Sequence, residues 1–138
     1  LASVHLVALG EAWTVAKKSN LDLEKTFKGI AASSGNSFVH ETESQVILNG
    51  SYNINFTMDL VLKDTGLFDD LAKKLNAPLE ISPKIVEIFK DGQKKYGSRA
   101  WSSMIVKRME DLNNIDFRAR GFPEELIDNE PEEKGYEI

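Results

Sequence analysis

Apolar residues recur along this chain at helical spacing, in blocks separated by turn-forming residues. The block from Phe56 to Leu75 organises the rest. At about 100° per residue it gathers Phe56, Leu60, Val61, Leu67, Phe68, Leu71 and Leu75 on one stripe, with Asp59, Asp69, Asp70 and Lys73 on the opposite face. Asp64 projects from the middle of that stripe and Lys63 stands at its edge. A charge turned into a packed face costs several kcal/mol unless it is paired or hydrogen-bonded. The Lys63–Asp64 pair therefore reads either as a buried pair that fixes helix packing or as a functional pair. Gly66, in the same helix, costs about 1 kcal/mol against alanine and predicts a close approach by a neighbouring helix or a ligand.

The other blocks complete a helical bundle. Leu1 to Lys18 carries so wide an apolar arc that burial on most sides is expected, as for a central helix. His5 lies inside the arc and reads as a core histidine with one hydrogen-bond partner, while Glu11 on its border reads as pairing or capping a neighbour. Asp22 is placed to cap a second helix running to about Ala32, with Leu23, Phe27 and Ile30 on its inner face. Ser33-Ser34-Gly35-Asn36-Ser37 is a loop, or a place where hydroxyls and backbone N–H groups meet a carboxylate. A short helix from Phe38 to about Leu48 follows, and Asn49-Gly50 marks a turn.

Past the organising helix, Ser82-Pro83 signals a helix start with Ser82 as N-cap, and Gly97 its end. A last helix runs from Trp101, a core anchor, to about Leu112. The pattern predicts an all-α bundle of about six helices over residues 1–112. From Asn113 the chain turns acidic and proline-interrupted. Residues 113–138 form an acidic extension: a disordered tail, or an arm that uses Phe117, Phe122 and Tyr136 to pack on its own domain or on a partner subunit.

Composition narrows the classes. The 138 residues suit one domain with a real core, and 41% hydrophobic and 28% charged residues match an ordinary globular protein. A net charge of -5 argues against nucleic acid or an anionic membrane as main partner. With no cysteine, and with His5 and His40 far apart, no metal site is expected. No apolar run approaches a membrane span, and no signal region is present, so a cytoplasmic enzyme or enzyme fragment is expected. There is neither a G-x-G-x-x-G turn nor a P-loop. The chain opens on Leu1 already inside an apolar-periodic helix without a cap, which suggests that something upstream has been removed.

Several spaced matches carry a resemblance: Glu11-Ala12 at the end of a long helix, Ser34-Gly35-Asn36-Ser37-Phe38, Phe56 followed by Leu62-Lys63-Asp64-x-Gly66-Leu67, and Gly97 with Ser102. Over residues 1–112 the chain resembles the C-terminal helical domain of the β-hydroxyacid dehydrogenase family, in the 6-phosphogluconate dehydrogenase superfamily, whose best-known member is 3-hydroxyisobutyrate dehydrogenase. Two positions depart from the family pattern: Asn36 stands where arginine is common, and Ala100 where an aspartate is usual.

The resemblance implies an NAD- or NADP-dependent oxidoreductase that moves a hydride between the nicotinamide and a small β-hydroxyacid or its semialdehyde. It implies a Rossmann domain, absent from this chain, that binds most of the cofactor. It implies a catalytic lysine upstream of Leu1, so that this stretch holds no catalytic residue of its own and is inactive alone. Within the chain it implies that Lys63 contacts the cofactor, Asp64 supports the catalytic groups, Phe56 shapes the substrate pocket and Ser37 lies near the substrate carboxylate. A homodimer or tetramer through the helical domain is also implied, for which the apolar Leu1–Ala16 helix is suited. The rival reading is a non-enzymatic helical dimerisation or scaffold module.

Overall fold

The computed structural model describes residues 1–127 and Gly135. Six α-helices follow one another: α1 (Ala2–Lys18), α2 (Leu23–Ala31), α3 (Phe38–Asn49), α4 (Met58–Lys74), α5 (Ser82–Tyr96) and α6 (Lys107–Asn113), with a 3-10 turn at Ser102–Ile105 before the last. The described residues contain no strand, and none of their helices is long and apolar enough to cross a membrane. The all-α expectation holds.

Local chemistry sets several of the boundaries. The Asp22 carboxylate accepts the Lys25 N–H at 3.0 Å, and the Ser37 hydroxyl accepts the His40 N–H at 3.0 Å, so each satisfies a donor that the first helical turn leaves free. Gly50 and Gly97 end α3 and α5 at φ of +98° and +100°, a region that side-chain-bearing residues avoid.

α1 is the hub, with α2, α3, α5 and α6 packed around it. Its Trp13 is fully enclosed in the core with Ile47, Leu48, Met58, Phe89 and Phe117. Gly92 lets α5 close on this core, because a Cβ there would stand 2.5 Å from Ile105 Cδ1 and 3.3 Å from Met58 Sδ.

The largest correction concerns α4. Its buried face carries Met58, Val61 and Ala72, with Thr65 and Asp69 half-buried beside them, a surface turned by about 100° from the leucine stripe. Thr65 satisfies its hydroxyl on the Val61 carbonyl, and Asp69 accepts the Ser82 hydroxyl at 2.5 Å, so polar residues sit comfortably against α5. Leu67, Phe68, Leu71 and Leu75 face outward instead. With that rotation Lys63 and Asp64 also leave the interior. Gly66 meets nothing within 4 Å, so the close approach expected there is absent among the described residues.

Smaller corrections have equally local causes. Ser82 does not cap α5, since its hydroxyl goes to Asp69; Ile81 takes the N-cap position without a side-chain bond. The expected helix from Trp101 splits because Ser102 N–H donates to the Phe56 carbonyl at 2.8 Å and the Ser103 hydroxyl donates to the Tyr52 carbonyl. Trp101 is half-buried at the core's edge, not an enclosed anchor. α1 buries a narrower face than its apolar arc suggests, leaving Leu1, Val15 and Glu11 exposed and His5 half-exposed, with no side-chain hydrogen bond to His5 among the described residues.

Beyond α6 the chain folds back. Phe117 is completely buried, its N–H donates to Glu110 Oε1 at 2.7 Å, and Phe122 packs edge-on against Phe27. Tyr136 lies outside the described residues.

Candidate functional site

The segment before α4 is stitched to the segment before the 3-10 turn. Met58 N–H donates to the Ala100 carbonyl at 2.9 Å, Asp59 N–H to Ser98 at 3.1 Å, and Thr57 and Trp101 pair as an isolated antiparallel bridge. With the Ser102 bond to the Phe56 carbonyl, this fixes the backbone of Phe56 and holds its ring at the rim of a groove. The groove encloses about 850 Å³. The first turn of α1 (Leu1–Val4) forms one wall, α4 with Val61, Asp64, Thr65 and Phe68 a second, and residues 78–82 a third. Its surface is apolar apart from a few groups, of which Asp64 and Glu80 are acidic.

Lys63 Nζ lies 3.4 Å from Asp64 Oδ1, and the two side chains are 60% and 57% exposed. An ion pair so open to water contributes little to stability, which removes the reading of a buried packing pair. What the pair does offer is a cation beside a carboxylate, Asp64, that lines an apolar groove.

Ser37 belongs to a second, smaller cleft of about 400 Å³, between α1 (His5, Ala8, Leu9, Ala12), Ile30 and residues 33–37. Its hydroxyl oxygen accepts from His40 N–H, which leaves the hydroxyl proton for another acceptor. Asn36 is committed locally: its amide donates to Glu41 at 2.8 Å, and its side-chain oxygen accepts the Ser37 N–H at 2.8 Å. The two concavities follow one another along α1. Phe56 and Asp64 therefore line one groove, Lys63 pairs with Asp64 without itself lining it, and Ser37 belongs to the other cleft.

Behind the second cleft His40 is fully buried. Its Nε2 donates to the Phe27 carbonyl at 2.9 Å, since a carbonyl can only accept, and its Nδ1 then accepts the Ser44 hydroxyl at 3.1 Å. Burial holds the imidazole below its ordinary range despite the Phe27 hydrogen bond, which favours the charged form. One turn on, Glu43 Oε2 is buried with no partner among the described residues, and desolvation pushes this carboxyl up to about 7.

Neither Glu43 nor the 78–82 wall was foreseen from the residues. The wall did leave a signal, since Leu79 and Ile81 form a short apolar run between Pro78 and Pro83. Among the described residues no three metal-ligating side chains gather. The apolar walls of the groove fit a flat ring such as a nicotinamide.

Comparisons with known proteins identify the family. The family profile described as "NAD-binding of NADP-dependent 3-hydroxyisobutyrate dehydrogenase" matches residues 1–109. L-threonate dehydrogenase of Haemophilus influenzae is 30% identical over 107 residues, which is 78% of this chain and 36% of that protein. 2-(Hydroxymethyl)glutarate dehydrogenase of Eubacterium barkeri is 29% identical over 116 residues, 83% of this chain and 38% of its own length. The crystal structure of a 3-hydroxyisobutyrate dehydrogenase from Salmonella typhimurium superposes with a TM-score of 0.72 at 28% identity, covering 78% of this chain and 38% of that one. The chain thus spans less than two-fifths of the length of these relatives. It belongs to the 3-hydroxyisobutyrate dehydrogenase branch of the β-hydroxyacid dehydrogenase family, whose members are NAD(P)-dependent oxidoreductases.

Proposed function

We propose that this chain supplies one side of the active cleft of an oxidoreductase that moves a hydride between NAD or NADP and a small β-hydroxyacid or its semialdehyde. One observation carries the reading: Phe56 and Asp64 line a single apolar groove, with the Lys63 ammonium 3.4 Å from that carboxylate. When bound, the nicotinamide supplies the hydride chemistry. In this proposal Lys63 binds the cofactor as a point charge. Asp64 holds Lys63 in place and orients the acid/base group, which resemblance assigns to a lysine upstream of Leu1. Phe56 presents an apolar wall against the reacting carbon and excludes water from it. Ser37 can meet the far, carboxylate end of a substrate only from the second cleft.

On this reading the isolated chain turns over no hydroxyacid, because the acid/base and most of the cofactor's contacts lie outside it. Oligomerisation is the companion proposal: a second copy covers the outward leucines of α4, not α1, whose exposed large apolar residue is Val15.

The test is Lys63→Ala in the complete dehydrogenase polypeptide. Loss of one charge-assisted contact predicts cofactor affinity weaker by about ten- to a hundredfold. Unchanged affinity and rate would remove Lys63 from the site.

A further inference from the structure

The family match ends at residue 109, yet the chain continues into an arm, residues 115–124, that is bound tightly to α3 and the turn after it. Ala119 N–H donates to the Leu48 carbonyl at 3.0 Å, the Asn49 amide to the Phe122 carbonyl at 3.0 Å, and the Ser51 hydroxyl to the Glu124 carbonyl at 2.6 Å. Arg118 fastens the middle, donating to Glu110 Oε1 at 2.8 Å, to the Ile47 carbonyl at 3.2 Å and to the Tyr52 hydroxyl at 2.9 Å. The Tyr52 hydroxyl in turn donates to the buried Glu110 carboxylate.

The arm's outer end touches a different part of the molecule. The Phe122 ring meets Phe27 edge-to-face, with centroids 5.1 Å apart and planes at 72°. Phe27 lies 4.6 Å from the His40 ring and accepts its Nε2–H through the backbone carbonyl. The His40 N–H is the donor capped by Ser37. A continuous line of contact therefore runs Phe122, Phe27, His40, Ser37. α2 needs this support, because Leu23 is its one fully buried residue.

We infer that the arm is a strap that holds the α2–α3 corner, and with it the cleft under residues 33–37, in a preformed shape. Phe122 is its positioning residue, acting through Phe27 and His40. A pocket whose walls are fixed before binding spends less of its binding energy on ordering them. That the strapped cleft receives the carboxylate end of the substrate rests on the functional reading above; the mechanical link does not.

The experiment is hydrogen exchange by NMR on the 138-residue chain carrying Phe122→Ala, with Phe122→Leu as the milder variant that keeps apolar volume. An aromatic pair with its buried area is worth about 1.4 kcal/mol or more, so amides 33–41 exchange about tenfold faster in Phe122→Ala. Amides of α5 keep their wild-type rates, and the His40 ring titrates closer to its ordinary value of about 6.5. Unchanged exchange over 33–41, or equal acceleration in every helix, overturns the strap. The same Phe122→Leu substitution in the complete dehydrogenase separates the two claims. A several-fold higher KM for the hydroxyacid at unchanged kcat supports both; a loosened loop with unchanged KM keeps the strap and overturns the substrate role of the Ser37 cleft.

Discussion

Glu43 is the side chain that pH controls most directly. Its carboxyl, pushed up to about 7 by burial, holds a proton in the folded chain more tightly than in the unfolded one, where 4.5 is ordinary. Its contribution is thus complete below about 4.5 and is lost as pH rises through about 7. The shift corresponds to about 3 kcal/mol. His40, one turn away, acts with the opposite sign: burial lowers its pKa, so stability is lost as pH falls below the unfolded value of about 6.5. Glu43→Gln isolates the first effect. It is expected to raise stability at pH 8 by about 1–3 kcal/mol and to leave pH 5 nearly unchanged, read from denaturant melts at both values. Equal stability of the two proteins at pH 8 would show that the wild-type carboxyl ionises there without cost. Residue-scale chemistry was legible where it is local: Asp22 and Gly97 take the cap positions expected of them, while the N-cap role of Ser37 was not read from the loop around it. Glu43 was not, because nothing in its own residue type shows that its oxygen is buried without a partner.

α4 shows how a correct element can be read with the wrong face inward. Its span was plain from the spacing, and so was its stripe of leucines. What spacing cannot say is which neighbour lies on which side. α5 is that neighbour, reached through a short connection, and it packs on Met58, Val61, Thr65 and Ala72. Leu67, Leu71 and Leu75 are then 65%, 54% and 68% exposed. Contiguous exposed leucines on one helix face mark an interaction surface. The companion proposal of a second copy on this face predicts a dimer in sedimentation experiments that Leu71→Lys converts to monomer without loss of helicity. A monomeric wild type at all concentrations, or a dimer indifferent to Leu71→Lys, would assign the face to another occupant.

For the whole molecule, the bundle and its hub at α1 followed from helical periodicity, while the grooves did not. A concave surface is made by segments distant in sequence, here Leu1–Val4, Phe56–Phe68 and residues 78–82. No one of them reads as a wall alone. The Lys63-Asp64 motif could be found in the sequence, but its meaning changes with burial: a strained interior pair became an exposed pair of which Asp64 lines a groove. The arm was partly legible, since Phe117 and Phe122 argued for packing, and the structure seats both against α2, α3 and α6.

We propose that the groove between α1, α4 and residues 78–82 faces the cofactor and substrate. A hydrogen-exchange footprint of the complete dehydrogenase, with and without saturating NADPH or NADH and hydroxyacid, tests it most directly. Slowed exchange is expected in residues 1–6, 56–68 and 78–86, with α6 unaffected. Slowed exchange confined to other surfaces, with all three segments unchanged, would contradict it.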